Sequence, residues 1–355
     1  MKSKVYFSTY KKGQRKRDCF SKLLKGIDDR ISEFGEGSFV GIKMTVGDRG
    51  STGYIKPAIV NILVEKLKRQ GAKPFVFDTN VIYRGQRQNA VDHLNLAYEK
   101  GFTPDKLGCP YIIADSVFGT DSRAIKVDFN NIKEIKVPSL VKVLDNLIVL
   151  THITGHLMSG FAGSIKNVAM GMASRAGKQI QHSSLKPVID VEKCTLCGTC
   201  IETCPVSAIS ELSGKAFINS NLCIGCGECI AACKLDAVNI NWKEDPAIFA
   251  ERMAEYATGI LSRVNRKLFI NFAFDMTLEC DCICGDDPRI LDNTGIFAST
   301  DILAADKASY DYLIKLTRRT DVFSRGGKIQ AHKHQFSYAN KVGLGNSSYE
   351  LIELH

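Results

Sequence analysis

No stretch of the 355-residue chain approaches the ~20 consecutive apolar residues that a membrane-crossing helix needs. The opening MKSKVYFSTYKKGQRKRD is basic, yet it lacks the apolar segment of a secretory signal. These two absences predict a protein with no membrane span that stays in the cytoplasm. No G-K-[S/T] closes the glycine-rich turn GDRGSTGY, which excludes a Walker-type phosphate loop. No Lys/Arg stripe with interleaved aromatics is present either, so nucleic acid is not an expected partner.

Cysteine, by contrast, is abundant, with 13 in the chain. CTLCGTCIETCP carries Cys194, Cys197, Cys200 and Cys204, and CIGCGECIAACK carries Cys223, Cys226, Cys229 and Cys233. Each run is C-x2-C-x2-C-x3-C, the spacing of a two-cluster ferredoxin, in which three thiolates wrap one cube and the fourth crosses to the other. The pattern predicts two 4Fe–4S clusters. Cys194, Cys197, Cys200 and Cys233 would hold the first, and Cys223, Cys226, Cys229 and Cys204 the second. Zinc sites do not require the repeated x3-C, and disulfides are rare in a reducing compartment. The formal charge is +9 with every thiol neutral. Two clusters bring it to about +5. That mild basic excess suits a redox partner protein with an acidic face.

Around this segment, near-continuous apolar strands alternate with amphipathic helices. SFVGIKMTVG, KPFVFDTN, CPYIIADS and NLIVLTHI read as strands before it, and KLFINFAFDMT after it. IKPAIVNILVEKLKRQGA, RQNAVDHLNLAYEKGF, PAIFAERMAEYATGILSR and DILAADKASYDYLIKLT read as helices. The pattern predicts an α/β fold: a mostly parallel sheet with helices on both faces. Residues 1–185 and 243–355 form the two parts of this core, and 186–242 form an inserted two-cluster ferredoxin-like domain. Three domains in series is the alternative.

Ligands of an open parallel sheet sit at the carboxyl ends of its strands. Asp48, Arg49, Lys56, Asp78, Asn80, Arg84, Arg87, Asp115, His152 and His156 collect there. THITGHLMSGFAGSIKN places His152 and His156 four residues apart, then a glycine turn, then Lys166 near the amino end of a helix. A cation is disfavoured at that end, so Lys166 calls for an anionic partner. Arg175, Lys178 and His182 follow. His152, His156, Lys166 and His182 are the expected catalytic group, lining a pocket for a small anionic substrate or a metal-bound one.

The stretch THITGHLMSGFAGSIKNVAMGMASRAGK, the eight-cysteine segment, DTNVIYRGQRQNAVDH, GIFASTDILAADKAS and ANKVGLGNSSYEL resemble the ferredoxin-containing branch of the domain-of-unknown-function 362 family. The family's glycine loop is GFGG; here Ala162 replaces one glycine. The resemblance implies an intracellular iron–sulfur protein with an α/β core, and no reaction. The order His156, Lys166, His182 is also similar to a segment of the nickel-pincer lactate racemases, whose matching residues surround a metal cofactor and a 2-hydroxy acid.

ECDCICGDD adds Cys280, Cys282 and Cys284. Alternation on an extended strand points the three sulfurs to one face with Cα atoms roughly 6.6 Å apart. Two sulfurs on one zinc are only ~3.8 Å apart, so a straight strand chelates poorly and must bend to hold a further metal such as zinc, nickel or iron. Two function classes follow: a redox enzyme whose clusters feed the α/β pocket, or an electron carrier whose α/β part docks a partner.

Overall fold

A computed structural model describes residues 2–83, 85–156, 158–182, 186–223, 228–233, 235, 237–240, 245–282, 285–319, 322–323 and 331–354. Arg84, Cys226 and Cys284 lie outside these residues.

Eight strands form the central sheet. Their order is Tyr349–Leu354, Ser3–Thr9, Gly295–Ser299, Arg266–Ala273, Asn146–His152, Phe39–Lys43, Lys73–Asp78 and Tyr111–Ile113. Only Gly295–Ser299 runs antiparallel to its neighbours; the other pairings are parallel. This is the mostly parallel α/β sheet the sequence pattern predicts. Strands from before and after the cysteine-rich segment pair with one another within it, so the two flanks share one sheet.

Period-two alternation divides the sheet's side chains between two cores. Leu147 and Val149 enter one, with Phe249, Met253 and Ile302 from helices Pro246–Leu261 and Ile302–Thr317. Ile148 and Leu150 enter the other, with Leu23 from Lys16–Gly26 and Leu63 and Leu67 from Pro57–Arg69. Both faces of Asn146–His152 are therefore covered, and all seven of its residues are buried. In Pro57–Arg69 the buried Ile59, Val60, Leu63, Val64 and Leu67 recur at helical spacing, and Pro57 opens the helix where its missing N–H costs nothing. Among the described residues no helix is long and apolar enough to cross a membrane.

The chain leaves the core at helix Arg175–Gln181 and returns at Pro246–Leu261, and these two helices pack together. Between them, Pro187–Ile189 pairs antiparallel with Val238–Ile240, and Ile209–Leu212 forms a hairpin with Lys215–Ile218. Cys194, Cys200 and Cys229 pack with Ile209, Ala216, Ala237 and Val238 in a separate small cluster. Among the described residues this cluster is small, and a small core stabilises a domain only weakly on its own.

Candidate functional site

After Phe39–Lys43 the chain crosses to Lys73–Asp78 on one side of the sheet; after Asn146–His152 it returns as Arg266–Ala273 on the other. These neighbouring strands therefore diverge at their carboxyl ends, which is where open α/β sheets form crevices. Charged side chains are buried at this point. Lys43 Nζ lies 3.0 Å from Asp78 Oδ1 and donates to Asn167 Oδ1 at 2.8 Å. Arg87 Nε lies 3.3 Å from Asp48 Oδ2. Lys178 Nζ donates to Thr79 Oγ1 at 2.6 Å and to the Ala173 carbonyl at 2.7 Å. Burial pushes Asp78 upward, but Lys43, His93 and Arg87 outweigh it and hold the carboxyl below its ordinary range. Burial pushes Lys178 down to about 8. Lys43, Asp78, Arg87 and Asp48 are paired, so the predicted collection of Asp48, Asp78 and Arg87 is chiefly a buried ionic brace, while Asp115 accepts from Asn80 N at 2.9 Å.

His152 is also fully engaged. Its Nδ1 lies 2.7 Å from Asp281 Oδ2 and its Nε2 lies 2.7 Å from the Phe274 carbonyl. Both partners accept, so both ring nitrogens donate and the imidazole is the cation. Burial opposes that charge, yet Asp281 and the Phe274 carbonyl raise the pKa above the ordinary histidine value. With both ring nitrogens engaged, His152 ties the strand end to the loop that carries Cys280 and Cys282.

The glycines of THITGHLMSGFAGSIKN have a packing cause. A Cβ on Gly155 would sit 2.0 Å from the Leu278 carbonyl oxygen, and one on Gly163 would sit 2.4 Å from Asp306 Oδ1. The Asp306 carboxylate accepts from Ser164 N at 2.7 Å and Ile165 N at 2.9 Å, and from Asn271 Nδ2 at 2.8 Å. The amino end of helix Ser164–Ala169 is thus already filled by an internal anion. Burial raises Asp306 to about 6. Gly155→Ala is expected to push the Leu278 backbone away and destabilise the fold by about 1–3 kcal/mol. Thermal melting measures this, and an unchanged midpoint contradicts it.

Lys166 reaches past that helix start, and its Nζ lies 3.6 Å from Cys282 Sγ. Burial, with Arg87 and Lys43 against Asp281 and Glu279, lowers its pKa to about 8, so the ammonium form still dominates at neutral pH. His156 and His182 both stack on Phe249, with ring centroids 6.1 and 4.8 Å away. Burial and the Lys166 charge push both imidazoles down, His182 to about 3 and His156 well below the ordinary value. The structure thus brings His156, Lys166 and His182 together. The Nδ1 of His156 accepts from Met158 N at 3.3 Å and Ser159 N at 3.2 Å. Its proton therefore sits on Nε2, and it offers a donor where a metal ligand would need a lone pair.

The ECDC segment departs from the predicted straight strand. It turns at Asp281, the Cys280 and Cys282 Cα atoms are 5.2 Å apart, and their sulfurs are joined as a disulfide. The turn is fixed because the Asp281 carbonyl accepts from Asp48 N at 2.7 Å and its carboxylate holds His152 and, at 3.3 Å, Ser51 Oγ. A cleft of about 20 Å³ beside Cys280 is lined by Ser51, Glu279, Asp281, Asp286 and Asp287. That volume admits about one water. No group of three or more His, Cys, Asp or Glu among the described residues fits a single ion.

The cysteine-rich segment is built differently. Burial raises the Cys200 thiol, and the neighbouring Cys194, Cys197 and Cys233 raise it further. Cys233, from the second run, thus lies close enough to Cys200 of the first to act on its thiol, and it packs against the same small cluster as Cys194 and Cys200. Backbone N–H groups point at sulfur in both halves: Ala208 N to Cys204 Sγ at 3.2 Å and Ala237 N to Cys233 Sγ at 3.3 Å, each four residues on. Ala216 N reaches Cys194 Sγ at 3.4 Å.

The model of a family described as a domain of unknown function, DUF362, matches residues 40–311. No curated protein matches the chain. Among solved structures, the lactate racemase apoprotein from Thermoanaerobacterium thermosaccharolyticum is similar at 13% identity and a TM-score of 0.41, over 84% of this chain and 54% of that one. A crystal structure of a protein from Thermotoga maritima is similar at 11% identity and a TM-score of 0.44, over 87% and 60%. This chain spans less than two thirds of the length of either.

Proposed function

The chain belongs to the DUF362 family, and from its own residues we propose that it is an iron–sulfur electron-transfer protein that binds two 4Fe–4S clusters and delivers electrons to a redox site in its α/β core. The observation that carries this reading is that Cys233 packs against the cluster of Cys194 and Cys200 and lies near enough to Cys200 to act on its thiol, as Cys194 and Cys197 do, across about thirty residues of sequence. That crossed set is the one the spacing assigns to a first cluster, and Cys223, Cys226, Cys229 and Cys204 are assigned to the second. Such a cluster, when bound, stores and releases one electron at low potential. The chain's part is to supply the thiolates and to aim N–H groups at their sulfurs, which stabilises negative charge there. A four-iron cluster holds its thiolates farther apart than a single ion does, so the lack of a single-ion site among the described residues does not conflict with it.

The core holds its own reactive groups: a cationic Lys166, a neutral His156 donor and a cysteine pair. They favour an oxidoreductase over a carrier that only docks a partner. The net positive charge suits an acidic redox partner, and the many thiols suit the reducing cytoplasm. The test is low-temperature EPR after anaerobic reconstitution and dithionite reduction. Two interacting S = 1/2-type signals are expected; a diamagnetic, dithionite-inert sample overturns the reading.

A further inference from the structure

We propose that Cys280 and Cys282 form a reversible two-electron thiol–disulfide centre that exchanges with a dithiol or disulfide partner, with Lys166 as the positioned cation that makes Cys282 the leaving sulfur. This goes beyond the cluster reading and uses it only for the reducing setting, where disulfides are usually catalytic or sensing. The thiol measurement below is made whether or not iron is bound, so either claim can fail alone.

Three observations carry the inference. The pair is joined across one intervening residue, and that residue is anchored on both sides. Asp281 receives Asp48 N on its carbonyl and His152 and Ser51 on its carboxylate. None of these bonds involves sulfur, so breaking the disulfide leaves the two sulfurs adjacent and ready to re-form it. Second, the two sulfurs differ in surroundings. Cys280 lines the cleft, while Cys282 Sγ lies 3.6 Å from Lys166 Nζ. A nearby ammonium stabilises a thiolate, and a better-stabilised thiolate leaves faster. Third, the cleft wall carries Glu279, Asp281, Asp286 and Asp287, so it selects a neutral or basic partner and disfavours an acidic one.

The exchange balances. An incoming thiolate attacks Cys280 Sγ and forms a mixed disulfide. The Cys280–Cys282 bond breaks, and Cys282 departs as a thiolate beside Lys166. A second thiol of the partner then attacks the mixed disulfide. Cys280 is released and the partner becomes a disulfide. Two electrons pass from the partner to the pair, and two protons complete two thiols. The reverse sequence oxidises the pair and reduces a partner disulfide.

The experiment equilibrates the folded, full-length chain anaerobically in graded mixtures of reduced and oxidised dithiothreitol. Acid quenching, N-ethylmaleimide labelling and mass spectrometry of tryptic fragment 268–289 then count its free thiols. The fragment should gain two labels together as the mixture becomes more reducing. Cys282→Ser should abolish this change and Cys284→Ser should preserve it. Lys166→Gln should slow reduction by dithiothreitol about threefold at pH 7, the part of a roughly one-unit rise in leaving-thiol pKa that reaches the rate, with most of the rate restored in Lys166→Arg. A label count that changes only after unfolding makes the bond a structural staple and overturns the proposal. So does a Lys166→Gln rate equal to wild type, or a two-label change that survives Cys282→Ser.

Discussion

Cys233→Ser is expected to lower the iron bound by the reconstituted chain from about eight atoms to about four. Cys197→Ser should remove the same four and the same EPR component, although the two residues belong to different runs. The reason is spatial. Cys233 and Cys197 both lie close enough to Cys200 to raise its thiol. Cysteines that shared ligands only within their own run would instead lose different signals. The structural consequence should be large as well. The segment's apolar cluster consists mainly of cysteines and small side chains. Where so little is buried, ligand binding supplies the folding free energy, and the unligated half should become protease-sensitive. Iron retained near eight in Cys233→Ser contradicts the crossed arrangement.

Asp281→Asn is expected to cost roughly 3–5 kcal/mol of stability, the usual penalty for stranding one member of a buried ion pair. His152 and Asp281 are both buried and 2.7 Å apart. The pH dependence follows from the two shifts. His152 has a raised folded pKa, so its contribution is complete below the ordinary histidine value and is lost as pH rises through the raised value. Asp281 has burial pushing it up, but His152 and Arg87 bring it below the ordinary carboxylate value. Its contribution is present above that ordinary value and is lost as pH falls through the depressed one. The gap between wild type and Asp281→Asn should therefore be widest between about pH 4 and pH 6.5 and should narrow in alkali. Urea denaturation at pH 6 and pH 9 measures it. A gap under 1 kcal/mol, or one independent of pH, contradicts the pairing. Because Asp281 also holds the Cys280–Cys282 turn, the variant should disturb the disulfide's environment too.

Much of this architecture can be read from local pattern. The run NLIVL announces a strand covered on both faces, and the two C-x2-C-x2-C-x3-C runs announce a paired-cluster segment before any fold is known. What escapes is whatever depends on a distant partner. Lys43 looks like an ordinary cation in GIKMTV, yet it is buried because Asp78 and Asn167 lie across the strand ends. The helix start at Ser164 invites an external anion, and Asp306, 142 residues later, supplies an internal one. His152 reads as a ligand until Asp281 and the Phe274 carbonyl take both its nitrogens. Alternation in ECDC suggests a strand, but tertiary bonds to Asp281 impose a turn. By contrast, His156, Lys166 and His182 could be grouped from sequence order, since short connections bring the loop and the two helices after one strand back over the same sheet edge.

The central claim rests on what the eight cysteines bind. Iron, acid-labile sulfide and zinc should be assayed together, per chain, on protein purified and reconstituted without oxygen. The account predicts about eight iron and about eight sulfide with negligible zinc. Two zinc atoms per chain, with neither iron nor sulfide after reconstitution, contradict it.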